Sequence, residues 1–129
     1  MLFLSPPHTP ALVDEDAVLI DHSQPEPITG PDAIGAMLYE MYHVAFPGAE
    51  ATVTRISAAE NAVTLEFTFS GRNDGPFMGA PATGRKVSVP MCAVYDVNDG
   101  KIAQIDLYYD SATLTRQLGL VPSTADTRA

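Results

Sequence analysis

Asp21 closes the apolar run Ala17-Val-Leu-Ile20. A carboxylate at the end of an apolar strand can act as a general base if the strand delivers it into a cavity. The plainer reading is a turn aspartate capping the segment His22–Pro27. His22 follows directly, and adjacency would permit a proton relay. Successive strand side chains point to opposite faces, however, and His22 also reads as a solvated turn residue. Tyr39 and His43 are four residues apart on an expected helix and share one face. They either line a pocket or sit on the helix surface. Tyr109 shares the parity of Ile105 and Leu107, which suits a pocket wall with the hydroxyl toward a ligand. Asp106, Tyr108 and Asp110 have the other parity, and Asp110 reads as the cap of a helix starting at Ser111. Phe77 and Met78 lie in a Gly- and Pro-rich loop, as a lid over an apolar ligand or a plug at the core edge. Arg85 reads as a surface or ion-pair residue, and Cys92 as an inert buried thiol.

Other chemistries leave no trace. There is no Walker loop, GxSxG elbow, HExxH or CxxC. His8, His22 and His43 lack metal-ligand spacing, and one cysteine excludes an internal disulfide or a thiolate metal cluster. Neither a metal nor an organic cofactor is expected. Net charge is −9, and it is lopsided: residues 1–71 hold ten acids and one base, Arg55, whereas residues 72–129 hold six of each. Without a basic footprint, nucleic acid and anionic membrane are not expected partners. No apolar run approaches the ~18–20 residues of a bilayer span. Met1-Leu-Phe-Leu4 is too short for a signal-peptide core. A cytoplasmic location is the expectation.

The elements that must position these residues follow from periodicity. The chain has 129 residues, 46% hydrophobic and 18% charged, which is the globular range and the size of a single domain, residues 1–129. Pro6, Pro7 and Pro10 make residues 1–13 a loose arm with no helix longer than about two turns. A strand covers Ala17–Ile20. Pro25 and Pro27 forbid helix in the turn that follows. Pro31 and Asp32 start a helix that runs to about Phe46, with Ile34, Leu38, Met41 and Ala45 at helical spacing, stopped by Pro47-Gly48. Ala51–Ile56 alternates. Val63, Leu65, Phe67 and Phe69 alternate with polar residues in the clearest strand of the chain. Gly71–Gly84 is a long loop. Arg85–Val97 is a long strand with Pro90 at a bulge or edge. Asn98-Asp-Gly100 is a hairpin turn, Lys101–Tyr109 the last strand, and Ser111–Leu118 a short helix closed by Gly119. This is an α+β order, with a helix on one face of a curved antiparallel sheet and an apolar pocket between them. Val87, Val89 and Met91 are apolar on one parity, and Cys92 and Val94 on the other. The second face is expected to meet another subunit.

These segments carry a resemblance. Asp16-Ala-Val-Leu-Ile-Asp21 followed by Pro27-Ile-Thr-Gly-Pro-Asp-Ala-Ile34 resembles the front of the NTF2-like superfamily. Phe77-Met-Gly-Ala-Pro-Ala-Thr-Gly-Arg85, Val94–Ile102, Tyr108-Tyr-Asp110 and Gln117–Leu120 resemble its SnoaL-like polyketide cyclase branch. The resemblance implies a cone-shaped fold with a deep apolar pocket, and a homodimer formed through the sheet. It also aligns functional positions. Asp21 matches the general-base aspartate of the ketosteroid isomerase branch. That branch's strand aspartate falls at Met91 or Cys92, and its supporting tyrosine at Leu38. The last-strand aspartate of the SnoaL cyclases falls at Leu107, one place from Asp106 and on the opposite face. The function implied is binding of a compact hydrophobic molecule. If it is catalytic, the reaction is proton transfer next to a carbonyl, ending in cyclisation, isomerisation or dehydration. Asp21 would be the base, and Tyr109, Tyr39 or His43 would bond the oxyanion. Leu107, Leu38, Phe77, Met78 and Met91 would contact the ligand. The other reading is a non-catalytic ligand-binding or dimerisation module.

Overall fold

The structure, a computed structural model, describes residues 12–120. Of the expected loose arm, residues 1–13, all but Leu12 and Val13 lie outside the described residues. Val13 is buried and opens β1 (Val13–Asp21), which therefore starts earlier than the apolar run. Asp14 to Asp16 ride on a register irregularity between Val13 and Val18, where the Asp14 carboxylate accepts from the Asp16 N–H. The two-residue β2 (Ile28–Thr29) folds back on β1, pairing Leu19 with Ile28.

Pro31 and Asp32 open α1 (Pro31–Tyr39), whose Ile34, Gly35 and Leu38 are buried. The helix then widens into a π-helical turn, Glu40–Ala45, in which Phe46 N–H reaches back five residues to Met41 C=O. That extra residue rephases the apolar stripe. Met37, Met41 and Tyr42 all reach the sheet side, and Phe46 is fully buried with its ring edge-on to Phe69.

The strands β3 (Glu50–Ala58), β4 (Ala62–Arg72), β5 (Lys86–Asn98) and β6 (Lys101–Tyr109) form the expected antiparallel meander. Asp99 and Gly100 both take positive φ, 51° and 77°, as the tight β5–β6 hairpin demands. β1 then joins β6 in parallel, giving the order β2-β1-β6-β5-β4-β3. This one parallel pairing matters most for the site. It brings the C-terminal ends of β1 and β6 out side by side, with Asp21 opposite Leu107.

Leu65, Phe67, Phe69, Val89, Ala93 and Tyr95 fill the inner face beneath α1. The outward face is chemically mixed: Cys92 and Val94 stand among Thr64, Glu66, Asp106 and Tyr108. Pro90 sits in unbroken register with Thr68, beyond the last β5–β6 pair at Met91. It is at a local edge rather than a bulge, where its missing N–H costs no ladder bond. The next edge position, Ser88, is sealed by α2 (Ser111–Gln117): the Gln117 amide donates to Ser88 C=O and accepts from Ser88 N–H. Asp110 caps α2 as expected, accepting from Ala112 N–H and Thr113 N–H. Among the described residues, no helix is long and apolar enough to cross a membrane.

Candidate active site

The outlet between α1, β1 and β6 is a chamber of about 370 Å³. Asp21 and Tyr109 stand in its wall, with Met37 and Met41 from the helix and Phe77 and Met78 from the long loop. Gln24 and Glu26 come from the turn after β1. Leu19, Met37 and Met41 also border a second, deeper void of only about 30 Å³, walled by Leu38, Phe67, Met91 and Leu107. The two methionines therefore stand between a roomy outer chamber and a nearly filled apolar interior.

Asp21 is held by three donors. Its Oδ1 accepts from Ser23 N–H at 2.9 Å and Ser23 Oγ at 2.6 Å. Its Oδ2 accepts from Tyr109 OH at 3.1 Å. The Ser23 and Tyr109 hydroxyls lie 2.9 Å apart, but each has one proton, so when both donate to Asp21 this contact is a close approach rather than a third hydroxyl hydrogen bond. Asp21 caps its own turn through Ser23 and also lies in the chamber wall. A carboxylate offers about four acceptor sites, so one on Oδ2 remains open. Burial pushes the Tyr109 hydroxyl above its ordinary range, and the neighbouring Asp21 charge adds to this against the Ser23 hydrogen bond. Tyr109 is therefore a neutral donor at physiological pH. Among the described residues Asp21 has no ion-pair partner, and no three His, Cys, Asp or Glu side chains converge as a metal site would require.

His22 diverges to the outward face. Its Nε2 lies 2.9 Å from Asp106 Oδ1, the Gln104 amide donates to Asp106 Oδ2, and its ring stacks on Tyr108 at 4.3 Å. Asp21 and His22 thus lie on opposite faces, and no relay connects them.

The loop over the chamber has a rigid base. Asn73 is buried; its amide donates to Ala45 C=O and Gly75 C=O, and its Oδ1 accepts from Thr83 N–H and Thr83 Oγ. Gly75 is obligatory, because a Cβ there would overlap the Val44 carbonyl oxygen. From that base a tight turn pairs Phe77 with Ala80. Phe77 packs edge-on against Phe46, while Met78 is 63% exposed with φ 51°.

The structure thus brings Asp21, Tyr109, Phe77 and Met78 together around the outer chamber, and Leu38, Met91 and Leu107 around the inner void. Tyr39 and His43 are not brought in. Both are exposed and stack on each other at 5.0 Å on the far face of the helix, lining neither cavity. Tyr109 reaches the wall, but its hydroxyl is turned to Asp21 and Ser23. Sequence reasoning missed Gln24, Glu26, Met37 and Met41 as wall residues, and Ser23 as a donor to Asp21. Ser23 carried a signal, since Asp-x-Ser is a side-chain-to-backbone turn pattern.

A curved six-stranded sheet closed by one helix, with its polar groups at the open end, is an NTF2-like, ketosteroid isomerase-like fold. The chain belongs to the SnoaL-like polyketide cyclase family, whose model matches residues 5–118. A proposed SnoaL-like polyketide cyclase from Jannaschia sp. CCS1 is similar with a TM-score of 0.79 at 23% identity, covering 91% of this chain and 80% of its own. IdmH from Streptomyces antibioticus, a proposed polyketide cyclase, is similar at 28% identity with a TM-score of 0.67, covering 88% and 86%. An epoxide hydrolase of the LEH-like type from M. tuberculosis is similar at 25% identity with a TM-score of 0.67, covering 88% and 76%. No curated protein matches the chain.

Proposed function

We propose that the outer chamber binds a compact hydrophobic carbonyl compound and that Asp21 removes a proton from the carbon next to its carbonyl. The observation that supports this most directly is a carboxylate in a mostly apolar wall, held by Ser23 and Tyr109 with one acceptor site on Oδ2 open. In the step, the C–H proton moves to Asp21 Oδ2 and the bonding pair enters the carbonyl as an enolate. Protonated Asp21 no longer needs the Tyr109 donor, which is then free to turn to the enolate oxygen. The Gln24 amide is a second donor in the wall; its contacts are long, 3.5 Å to Ser23 Oγ and 3.9 Å to Met78 sulfur. Reprotonation at another carbon gives isomerisation, attack on a second carbonyl gives ring closure, and loss of a β-hydroxyl gives dehydration. We further propose that two chains pair through the outward sheet face.

The competing reading is a binding module without chemistry. It is favoured by the turn-capping bonds from Ser23, which account for Asp21 structurally. The two separate on α-proton exchange of 2-tetralone in D₂O, followed by NMR. The wild type should accelerate exchange, and Asp21→Asn should lose ~10²–10⁴-fold of it. Binding of the ketone with exchange no faster than in buffer would favour the module.

A further inference from the structure

We propose that the outer chamber selects lipophilic amines in their protonated form, with the ammonium at the rim beside Glu26. This rests on the chamber being the ligand site. It adds the ligand's charge, which the proton-transfer reading leaves open.

The wall carries two carboxylates, Asp21 and the exposed Glu26, and no lysine, arginine or histidine. Asp21 is satisfied by neutral donors only, so its charge has no counter-ion among the described residues. The arginines that form ion pairs do so away from the wall, Arg55 on β3 with Glu66 and Arg72 at the end of β4 with Asp74, each at 3.3 Å. An anionic ligand would meet repulsion, and a neutral one would leave the negative field unanswered. A cation supplies the missing charge, most effectively where apolar walls weaken screening.

The rest of the wall fits the same ligand. Aromatic faces attract ammonium groups, and Phe77 and Tyr109 both contribute rings. Met37 and Met41 supply polarizable, adaptable surface for an apolar body. Size is adequate: a dry cavity of ~150 Å³ already takes benzene, and this chamber is about 370 Å³. With the ammonium at Glu26, the open acceptor site of Asp21 stays available for a C–H proton.

The test uses three matched probes at low salt and neutral pH: N,N-dimethylbenzylamine, its neutral carbon analogue isobutylbenzene, and phenylacetate. Binding is followed by the methyl NMR signals of Met37, Met41 and Met78. The amine should bind about tenfold or more tighter than isobutylbenzene, and phenylacetate should not bind. Glu26→Gln should shrink that ratio severalfold, and added salt should shrink it in the wild type. If amine and hydrocarbon move the methionines with equal affinity, the charge selection is wrong and the chamber stands as an apolar site. If none of the probes moves them, the ligand-site reading falls and the inference with it.

Discussion

Ser23 and Tyr109 decide where the Asp21 carboxylate points. Ser23→Ala removes the 2.6 Å hydroxyl bond but keeps the backbone one, so the turn should survive with a less fixed carboxylate. Tyr109→Phe removes the donor to Oδ2 while keeping the ring in the wall. Because misplacing a reacting group by about 1 Å can cost ~10²-fold, each variant should slow ketone α-proton exchange by about 10- to 100-fold with ketone affinity little changed. Asp106→Asn is the contrasting case. It weakens only the His22 and Gln104 contacts on the outward face, away from the chamber wall, so exchange should stay within about twofold of wild type. Asp21 was legible in the sequence because it ends an apolar run. Tyr109 was legible because of its parity. Tyr39 and His43 misled because helical spacing shows that two residues share a face without showing which way that face looks. The stripe Ile34, Leu38 and Met41 already claimed the sheet side.

At the scale of elements, the loop after β4 is anchored by one buried side chain. Asn73→Ala leaves Gly75 C=O and the two Thr83 donors without their partner, while Ala45 C=O keeps the Asp74 N–H. With ~1–3 kcal/mol for each buried group left unmade and some relief from water, the loss should be about 3 kcal/mol. That should lower Tm by roughly 10 °C for a domain of this size. A Tm within about 2 °C of wild type would mean that the loop base is held by something other than Asn73. The strands β4 and β5 could be read from the sequence because one face of a half-buried sheet imposes period 2 on their residues. Three features could not. The π-helical turn at Glu40–Ala45 keeps an apolar stripe that ordinary helical spacing fits nearly as well. The two residues of β2 are too few to show a period. The parallel pairing of β1 with β6 joins positions more than eighty residues apart, and no local signal carries it. That pairing places Ser23 against Tyr109, so the cluster of donors around Asp21 was hidden along with it.

For the molecule as a whole, buried phenols set an alkaline limit on stability. Burial pushes Tyr42 up to about 12, and burial with Tyr42 nearby pushes Tyr95 higher still. An unfolded tyrosine titrates near ~10, so between these values the folded chain holds a proton that the unfolded chain has released. Stability should therefore be flat below pH ~10 and fall as pH rises to about 12, losing on the order of 2–3 kcal/mol for Tyr42 alone. Urea midpoints across that range would show it; a midpoint independent of pH up to 12 would contradict it. The proposed pairing of two chains predicts about 27 kDa by light scattering at micromolar concentration, twice the 13.7 kDa of one chain. A mass near 13.7 kDa would place the mixed outward face in water instead. The central claim is that one chamber both holds the ligand and presents Asp21 to it. The most direct measurement follows the methionine methyl signals and the α-proton exchange of 2-tetralone in a single titration, in wild type and in Asp21→Asn. The account predicts that Met37, Met41 and Met78 shift alike in both proteins, while exchange collapses in the variant alone. Exchange that persists in Asp21→Asn with the methionines still shifting would contradict it.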